Sequence, residues 1–356
     1  MSEPHRRNSR DAPAFREQLW TAVTGRDERA AIGIVLAAVD SGLEPEAVLL
    51  DVIAAVQRRV GAEWAANTLS VADEHTATAI NDRAVTALAL HAAASHPASA
   101  GRVTVACVDG EWHALPARLV TEVLRLRGWQ VDFLGAQVPT RHLIAHLHNT
   151  GPDAVLLSSS LPTRLPSAHG TITACQAAGV PVLVGGAAFG PDGRYANLLG
   201  ADAWAPDAAT AAELLARGLR REQRPPDRPH RTLPHLTDQE FTMIARSTPQ
   251  LLATTMAELE HRFPAMREYS ESQLERTAED IAQILEFLAT ALYLDDDELF
   301  TTFVTWTAGV LSARAVPAQS LFPVLDLLSG QLQDFPRARR ILTAATDALT
   351  DTARIA

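Results

Sequence analysis

The residues in this chain best placed to do chemistry begin with His113. It follows an apolar run, Val103-Thr-Val-Ala-Cys107, that reads as a buried strand, and the turn pair Asp109-Gly110, with Glu111 two positions before it. A helical stretch then continues through Arg125. A histidine leaving the carboxyl end of a first strand sits on the edge where open α/β sheets bind ligands, and its imidazole can coordinate a metal. Taken alone, a histidine on a loop after a strand is more often an ordinary surface or capping residue than a ligand. Two further loops add weight. One strand ends in Ser158-Ser159-Ser160-Leu161, which brings hydroxyls to the neighbouring carboxyl end. Another runs into Gly185-Gly186-Ala187, where a flat group could approach backbone without meeting a Cβ. Ligand, hydroxyl and glycine loops thus share one edge of a sheet.

A second group lies upstream. Trp64 is followed ten and eleven positions later by Glu74 and His75. Pro45 opens a helix in which Leu49, Ile53, Val56 and Val60 keep helical spacing up to Trp64. The next helix starts near Ser70, with Asp73 as a capping partner. The short connection brings Trp64, Glu74 and His75 to one end of a bundle. The plain alternative is a tryptophan packed in a bundle end beside a solvated acid.

The elements that position these groups follow from pattern. Residues 1–12 read as a polar, disordered tail and 13–96 as four helices with short loops, a four-helix bundle. Residues 101–219 alternate five strands with five helices, which predicts a Rossmann-type, doubly wound parallel sheet. The flavodoxin-like order would place strands one and three side by side. Residues 220–236 carry four prolines and read as a stiff linker. Residues 237–356 show only helical patterns. There Ile281, Ile284, Leu285, Leu288 and Leu292 form one stripe, and Leu299, Phe303, Trp306 and Val310 another. Shorter helices are expected around 318–333 and 336–354. The fold class is therefore α/β plus all-α.

Composition narrows the function. The chain has 356 residues and a formal charge of −11, which argues against nucleic acid as the main partner. Its two cysteines, Cys107 and Cys175, fall inside predicted elements, which fits a reducing compartment without a disulfide frame. No signal-like segment or apolar run of membrane-spanning length is present, so a cytoplasmic location with no membrane partner is expected.

The three sheet-edge loops resemble the cobalamin-binding domain, whose pattern is Asp-x-His-x-x-Gly, then Ser-x-Leu, then Gly-Gly. The resemblance implies that His113 is the lower axial ligand of cobalt, with Trp112 beside it and Glu111 holding the imidazole tautomer. It implies that Ser158 and Ser160 meet the nucleotide tail and that Gly185-Gly186 let it pass. Here Glu111 replaces Asp, Ser160 replaces Leu and Pro116 replaces the last Gly. Trp64, Glu74 and His75 resemble the lid motif of light-sensing cobalamin regulators, the MerR-type repressors of carotenoid genes. That likeness implies that Trp64 and Glu74 contact the adenosyl group of adenosylcobalamin. It makes His75 the upper cobalt ligand after light breaks the cobalt–carbon bond. The DNA-binding domain of those repressors would precede the bundle, where about twelve residues stand, so no direct DNA binding is expected.

The last third resembles globin-like sensor domains in the runs Arg276–Leu292 and Glu298–Trp306. After His261 the sequence has no His or Cys, which leaves haem iron few axial ligands. A linear tetrapyrrole needs none, and His261, Arg262, Arg267, Tyr269, Arg276 and Asp280 are candidates to hold its polar groups. Taken together, the chain resembles the photocobilins, photoreceptors that bind cobalamin and biliverdin. The expectation is a non-enzymatic light sensor, a homo-oligomer such as a dimer, signalling to a downstream protein. The alternative is a corrinoid carrier for a methyltransferase or mutase.

Overall fold

The computed structural model describes residues 12–92, 99–219 and 233–355. The chain divides into two compact units, 1–231 and 232–356. Residues 1–11 of the expected tail and 220–232 of the expected linker lie outside the described residues. Ala12, read as part of the tail, opens a helix, and Pro234 to Leu236, read as part of the linker, belong to a 3-10 turn, Pro234–Asp238.

The first unit begins with α1 (Ala12–Thr24), α2 (Glu28–Asp40) and the short α3 (Pro45–Ala47). A π-helical stretch, Val48–Ile53, joins α3 to α4 (Ala54–Ala65), and α5 (Val71–Ala92) follows. Leu49, Ile53, Val56 and Val60 are all buried. Their spacing hides the π turn, because residues four apart share a face in either kind of helix. The start of α5 is fixed by the expected pair: the Asp73 N–H donates to Ser70 Oγ, and the Ser70 N–H and hydroxyl donate to the Asp73 carboxylate.

Strands β1 (Gly101–Cys107), β2 (Trp129–Gly135), β3 (Ala154–Ser158), β4 (Val182–Gly185) and β5 (Ala203–Ala205) form one parallel sheet in the order β2-β1-β3-β4-β5. Helices α6 (Ala114–Leu126), α7 (Thr140–Thr150), α8 (Leu165–Ala177), α9 (Arg194–Leu199) and α10 (Ala208–Ala216) connect or follow the strands. Strands one and three are adjacent, as the flavodoxin-like order requires. Register completes the positioning. Cys107 pairs with Ser158, Ser158 with Gly185 and Gly185 with Ala205. Those four residues form a row across the sheet, so the three candidate loops leave it at one level.

The bundle, set apart over 13–96 by pattern, is not a separate body. Its Leu49, Val52 and Val56 share one hydrophobic core with Val103, Val105 and Leu156 of the sheet. Arg127, at the end of α6, donates from Nε and a terminal nitrogen to both carboxylate oxygens of Glu46. The apolar face that a bundle would keep to itself is instead continued across α6.

The second unit is all helical: α11 (Glu240–Arg262), α12 (Glu271–Leu294), α13 (Asp297–Ala313), α14 (Leu321–Gln331) and α15 (Pro336–Ile355). The expected stripe on α12 is buried, and Phe287 stacks on Phe303 at 3.7 Å between ring centroids. On α13, Leu299 and Phe303 are buried but Trp306 is 46% exposed, while Phe300 and Val304 are buried beside them. The buried face is therefore rotated away from the expected Leu299–Trp306 line. The final helix, expected around 336–354, spans Pro336–Ile355, 20 residues. Its first turn is capped by Glu240, whose carboxylate accepts the N–H groups of Arg337 and Ala338.

Candidate functional site

The loop between β1 and α6 carries Glu111, Trp112 and His113, with His113 at the cap position of α6. Glu111 is fully buried. One of its oxygens, Oε1, lies 2.6 Å from His113 Nδ1 and accepts the His113 N–H at 2.9 Å. The other, Oε2, accepts the N–H groups of Ser160 and Leu161 at 2.7 and 3.0 Å and the Ser159 hydroxyl at 3.1 Å. Burial by itself raises the pKa of Glu111, but the hydrogen bonds from His113, Leu161 and Ser160 outweigh it and hold the group at about 2. The ionised carboxylate makes His113 Nδ1 the protonated nitrogen and leaves the Nε2 lone pair available to a metal. The side chain of His113 is 32% exposed, so that nitrogen belongs to an accessible ring.

Ser159 was not singled out by the sequence, yet it is the hydroxyl that completes this cluster. It is fully buried, whereas its expected neighbour Ser160 contributes a backbone N–H. The Ser-rich run was visible; which member turns inward depends on where β3 ends. Ser158 faces elsewhere, into a cavity of about 210 Å³ that Gly185 and Gly186 also line. Val105, Leu156 and Leu183 give this cavity apolar walls, and Leu50, Ala54 and Arg58 reach it from the bundle. The glycine requirement at 186 has an internal cause. Its φ is +100°, and a Cβ there would come within 2.2 Å of the Ser159 carbonyl oxygen. The protein's own backbone, before any ligand, excludes a side chain. Pro116, which departs from the family pattern, sits in the first turn of α6 without interrupting it.

From the upstream group, His75 reaches the same place, with Glu74 beside it. Trp64 ends α4, and Glu74 and His75 stand in the first turns of α5. Glu74 Oε2 lies 2.7 Å from His75 Nδ1, repeating the arrangement at His113. Trp112 links the two histidines. Its ring stacks on His113 with centroids 3.9 Å apart and meets His75 edge-on at 6.1 Å. Behind Glu74 a polar chain enters the bundle. Thr78 donates to Glu74 Oε1, Gln57 donates to Thr78, and the buried Asn81 donates to Gln57, at 2.8, 2.7 and 2.8 Å. Sequence pattern gave no sign of this chain, because its members lie on two helices.

The candidates in the second unit are not gathered in this way. His261 and Arg262 end α11, while Arg267 lies in a 3-10 turn, Pro264–Glu268, just before Tyr269. Arg276 and Asp280 lie on α12, and all six side chains are exposed. Arg262 pairs with Asp326 at 2.7 Å and Arg267 with Glu260 at 3.3 Å. The sequence put His261, Arg262, Arg267 and Tyr269 near the end of one helix, but that helix stops at Arg262 and a 3-10 turn follows from Pro264.

Comparison with known proteins agrees with the sheet-edge geometry. A B12 binding domain model matches residues 101–216, and a second B12 binding domain model matches 15–89. Dimethylamine corrinoid protein 3 of Methanosarcina mazei is 30% identical over 124 residues, a third of this chain (33%) and 73% of that protein. This chain belongs to the B12-binding family. Within it, the HTH-type transcriptional repressor CarH of Myxococcus xanthus is 33% identical over 183 residues. The match covers 50% of this chain and 59% of the repressor, so the chain spans less than two thirds of that relative. The structure of the Methanosarcina barkeri monomethylamine corrinoid protein shares the fold, with a TM-score of 0.51 and 19% identity over 58% of this chain and 98% of that one. The residues of this B12-binding chain fit the cofactor. One imidazole with a free nitrogen suits a metal already held by a macrocycle, and the cavity behind it suits an aromatic tail. Among the described residues, no helix is long and apolar enough to cross a membrane.

Proposed function

We propose that this protein is a light sensor that holds adenosylcobalamin between the His113 loop and the α4–α5 lid. The observation that carries the reading is the pair of carboxylate-held histidines, His113 and His75, brought from two different elements into ring contact with the same Trp112. The chain is a binding protein rather than an enzyme. Bound adenosylcobalamin supplies a cobalt–carbon bond that light breaks. The protein's part is positional. His113 Nε2 is assigned to cobalt from below, with Glu111 keeping Nδ1 protonated. Ser158, Ser160, Gly185 and Gly186 are assigned to the tail and its entrance. Trp64 and Glu74 are assigned to the adenosyl group, and His75 to the upper side of cobalt after illumination. The likeness to CarH supports this assignment. The signal is proposed to leave through a change of oligomer, such as a dimer, or through a partner protein in the cytoplasm.

The coverage of the dimethylamine corrinoid protein favours a second reading, a corrinoid carrier serving a methyltransferase or mutase. One experiment separates the two. The purified chain is loaded with adenosylcobalamin in the dark, and absorption spectra are taken before and after green light. The sensor reading expects a new, stable spectrum that His75→Ala abolishes while dark binding survives. No spectral change on illumination would leave the carrier reading standing.

For the second unit the proposed ligand is biliverdin or a related linear tetrapyrrole in a globin-like helical fold. With no cysteine after Cys175, attachment would be non-covalent. Arg262 and Arg267 are engaged by Asp326 and Glu260, but exposed pairs of that kind are worth roughly 0–1 kcal/mol and yield readily to a propionate. Titration with biliverdin under red light tests it; no uptake would end this half of the proposal.

A further inference from the structure

Arg58 lies on the lid helix α4, yet it lines the cavity behind Ser158 and Gly186. It is exposed and makes no hydrogen bond or ion pair with any described residue, whereas its neighbour Arg59 is paired with Glu17. It is also the cation among the residues lining that cavity. Asp207, the acid in the lining, is already engaged at the start of α10, where its carboxylate accepts the Thr210 N–H at 2.7 Å.

The cavity has a polarity gradient along the bundle. Leu50 and Ala54 line it beside the apolar strand residues, and Arg58, one turn after Ala54, follows on the same helix face. Trp64, the lid residue, is six positions further on, about 9 Å along the axis. A cobalamin tail has the same order of groups: the linker from the corrin, a phosphodiester anion, a ribose, then an aromatic base. The apolar end suits the base. The anion, entering a largely apolar space, requires a counter-charge between the base and the corrin.

We propose that Arg58 binds the tail phosphodiester, making α4 of the lid a clamp on the lower-side nucleotide as well as a cover for the upper face. The guanidinium supplies planar, charge-assisted donors to phosphate oxygens. The inference rests on the cobalamin reading and assigns it a specificity residue outside the sheet domain.

The test compares adenosylcobalamin with adenosylcobinamide, which lacks the phosphate, ribose and base, and with adenosylcobinamide phosphate, which keeps the phosphate alone. Dark affinities are measured by absorbance titration for the full chain, Arg58→Gln and Arg58→Lys. Arg58→Gln is expected to bind adenosylcobalamin roughly tenfold or more weakly, the scale of a lost hydrogen bond to a charged group. It should weaken adenosylcobinamide phosphate similarly and leave adenosylcobinamide unchanged. Arg58→Lys should recover part of the loss, and the wild-type affinity should fall more steeply with salt than that of Arg58→Gln. Equal losses for all three ligands, or none for any, would overturn the assignment. An unchanged circular dichroism melting curve for Arg58→Gln excludes misfolding as the cause of a selective loss. If the wild-type chain takes up none of the three, the cobalamin reading falls, and this assignment with it.

Discussion

The floor and the lid of the site use one device at two depths. In each, a carboxylate oxygen holds a histidine Nδ1, at 2.6 Å for Glu111 and His113 and at 2.7 Å for Glu74 and His75. The surroundings differ. Glu111 is wholly buried and serves five donors on two loops, whereas the Glu74 side chain is 24% exposed and serves His75 and Thr78. A buried carboxylate with full valence fixes its ring as part of the fold. A carboxylate at the surface orients its ring but lets water compete for it. The difference matches the proposed division of labour: a lower ligand that stays, and an upper one that can move.

Removing Glu111 is the strongest way to break this comparison. Glu111→Ala leaves the partly buried N–H groups of His113, Ser160 and Leu161 without this acceptor. The expected loss of unfolding free energy is roughly 3–5 kcal/mol. Urea denaturation of the cofactor-free chain measures it, and a loss under about 1 kcal/mol would show that the floor is not built on this residue. Glu111→Asp, the residue of the family pattern, should retain much of the stability because the charge and the acceptors remain.

Acid gives a graded version of the same test. The Glu111 carboxyl stands at about 2 against an ordinary value of 4.5. Its folded pKa is depressed, so its contribution to stability is complete above about pH 4.5. That contribution is lost as pH falls from there towards 2. The span corresponds to about 3 kcal/mol. A plot of unfolding free energy against pH should therefore fall in that window for the wild type. The fall should be shallower in Glu111→Gln, by the share this group supplies; identical slopes would deny the carboxylate its role.

How much of this was legible beforehand differs between floor and lid. Strand periodicity and the turn pair Asp109-Gly110 were enough to place His113 at a sheet edge, and the row Cys107–Ser158–Gly185 is the register those strands imply. The inward turn of Ser159 was not legible, since three consecutive serines are equivalent until a backbone assigns their directions. Nor was the cause of Gly186, which depends on the Ser159 carbonyl across the sheet. In the lid, the spacing of Trp64, Glu74 and His75 was visible. The chain from Glu74 through Thr78 and Gln57 to Asn81 was not, because it alternates between α4 and α5. Trp306 shows the reverse failure: helical spacing counted it with the core of α13, and it lies at the surface.

The smallest expected effect sharpens the comparison most. Glu74→Ala removes an exposed pair and the acceptor for Thr78, so unfolding free energy should fall by only about 0.5–1 kcal/mol. The consequence for His75 should be larger than that figure suggests. Without Glu74 the imidazole loses the bond that selects its tautomer and its tie to the Thr78–Gln57–Asn81 chain in the bundle. The light spectrum of the cobalamin-loaded variant should still form, since His75 remains, but more slowly than in the wild type. Time-resolved absorbance after a green flash reads the rate, and urea denaturation reads the stability. A stability loss as large as that of Glu111→Ala would mean that the lid is as firmly built as the floor. An unchanged rate would mean that Glu74 does not orient His75, and the proposed movable ligand would then need another guide.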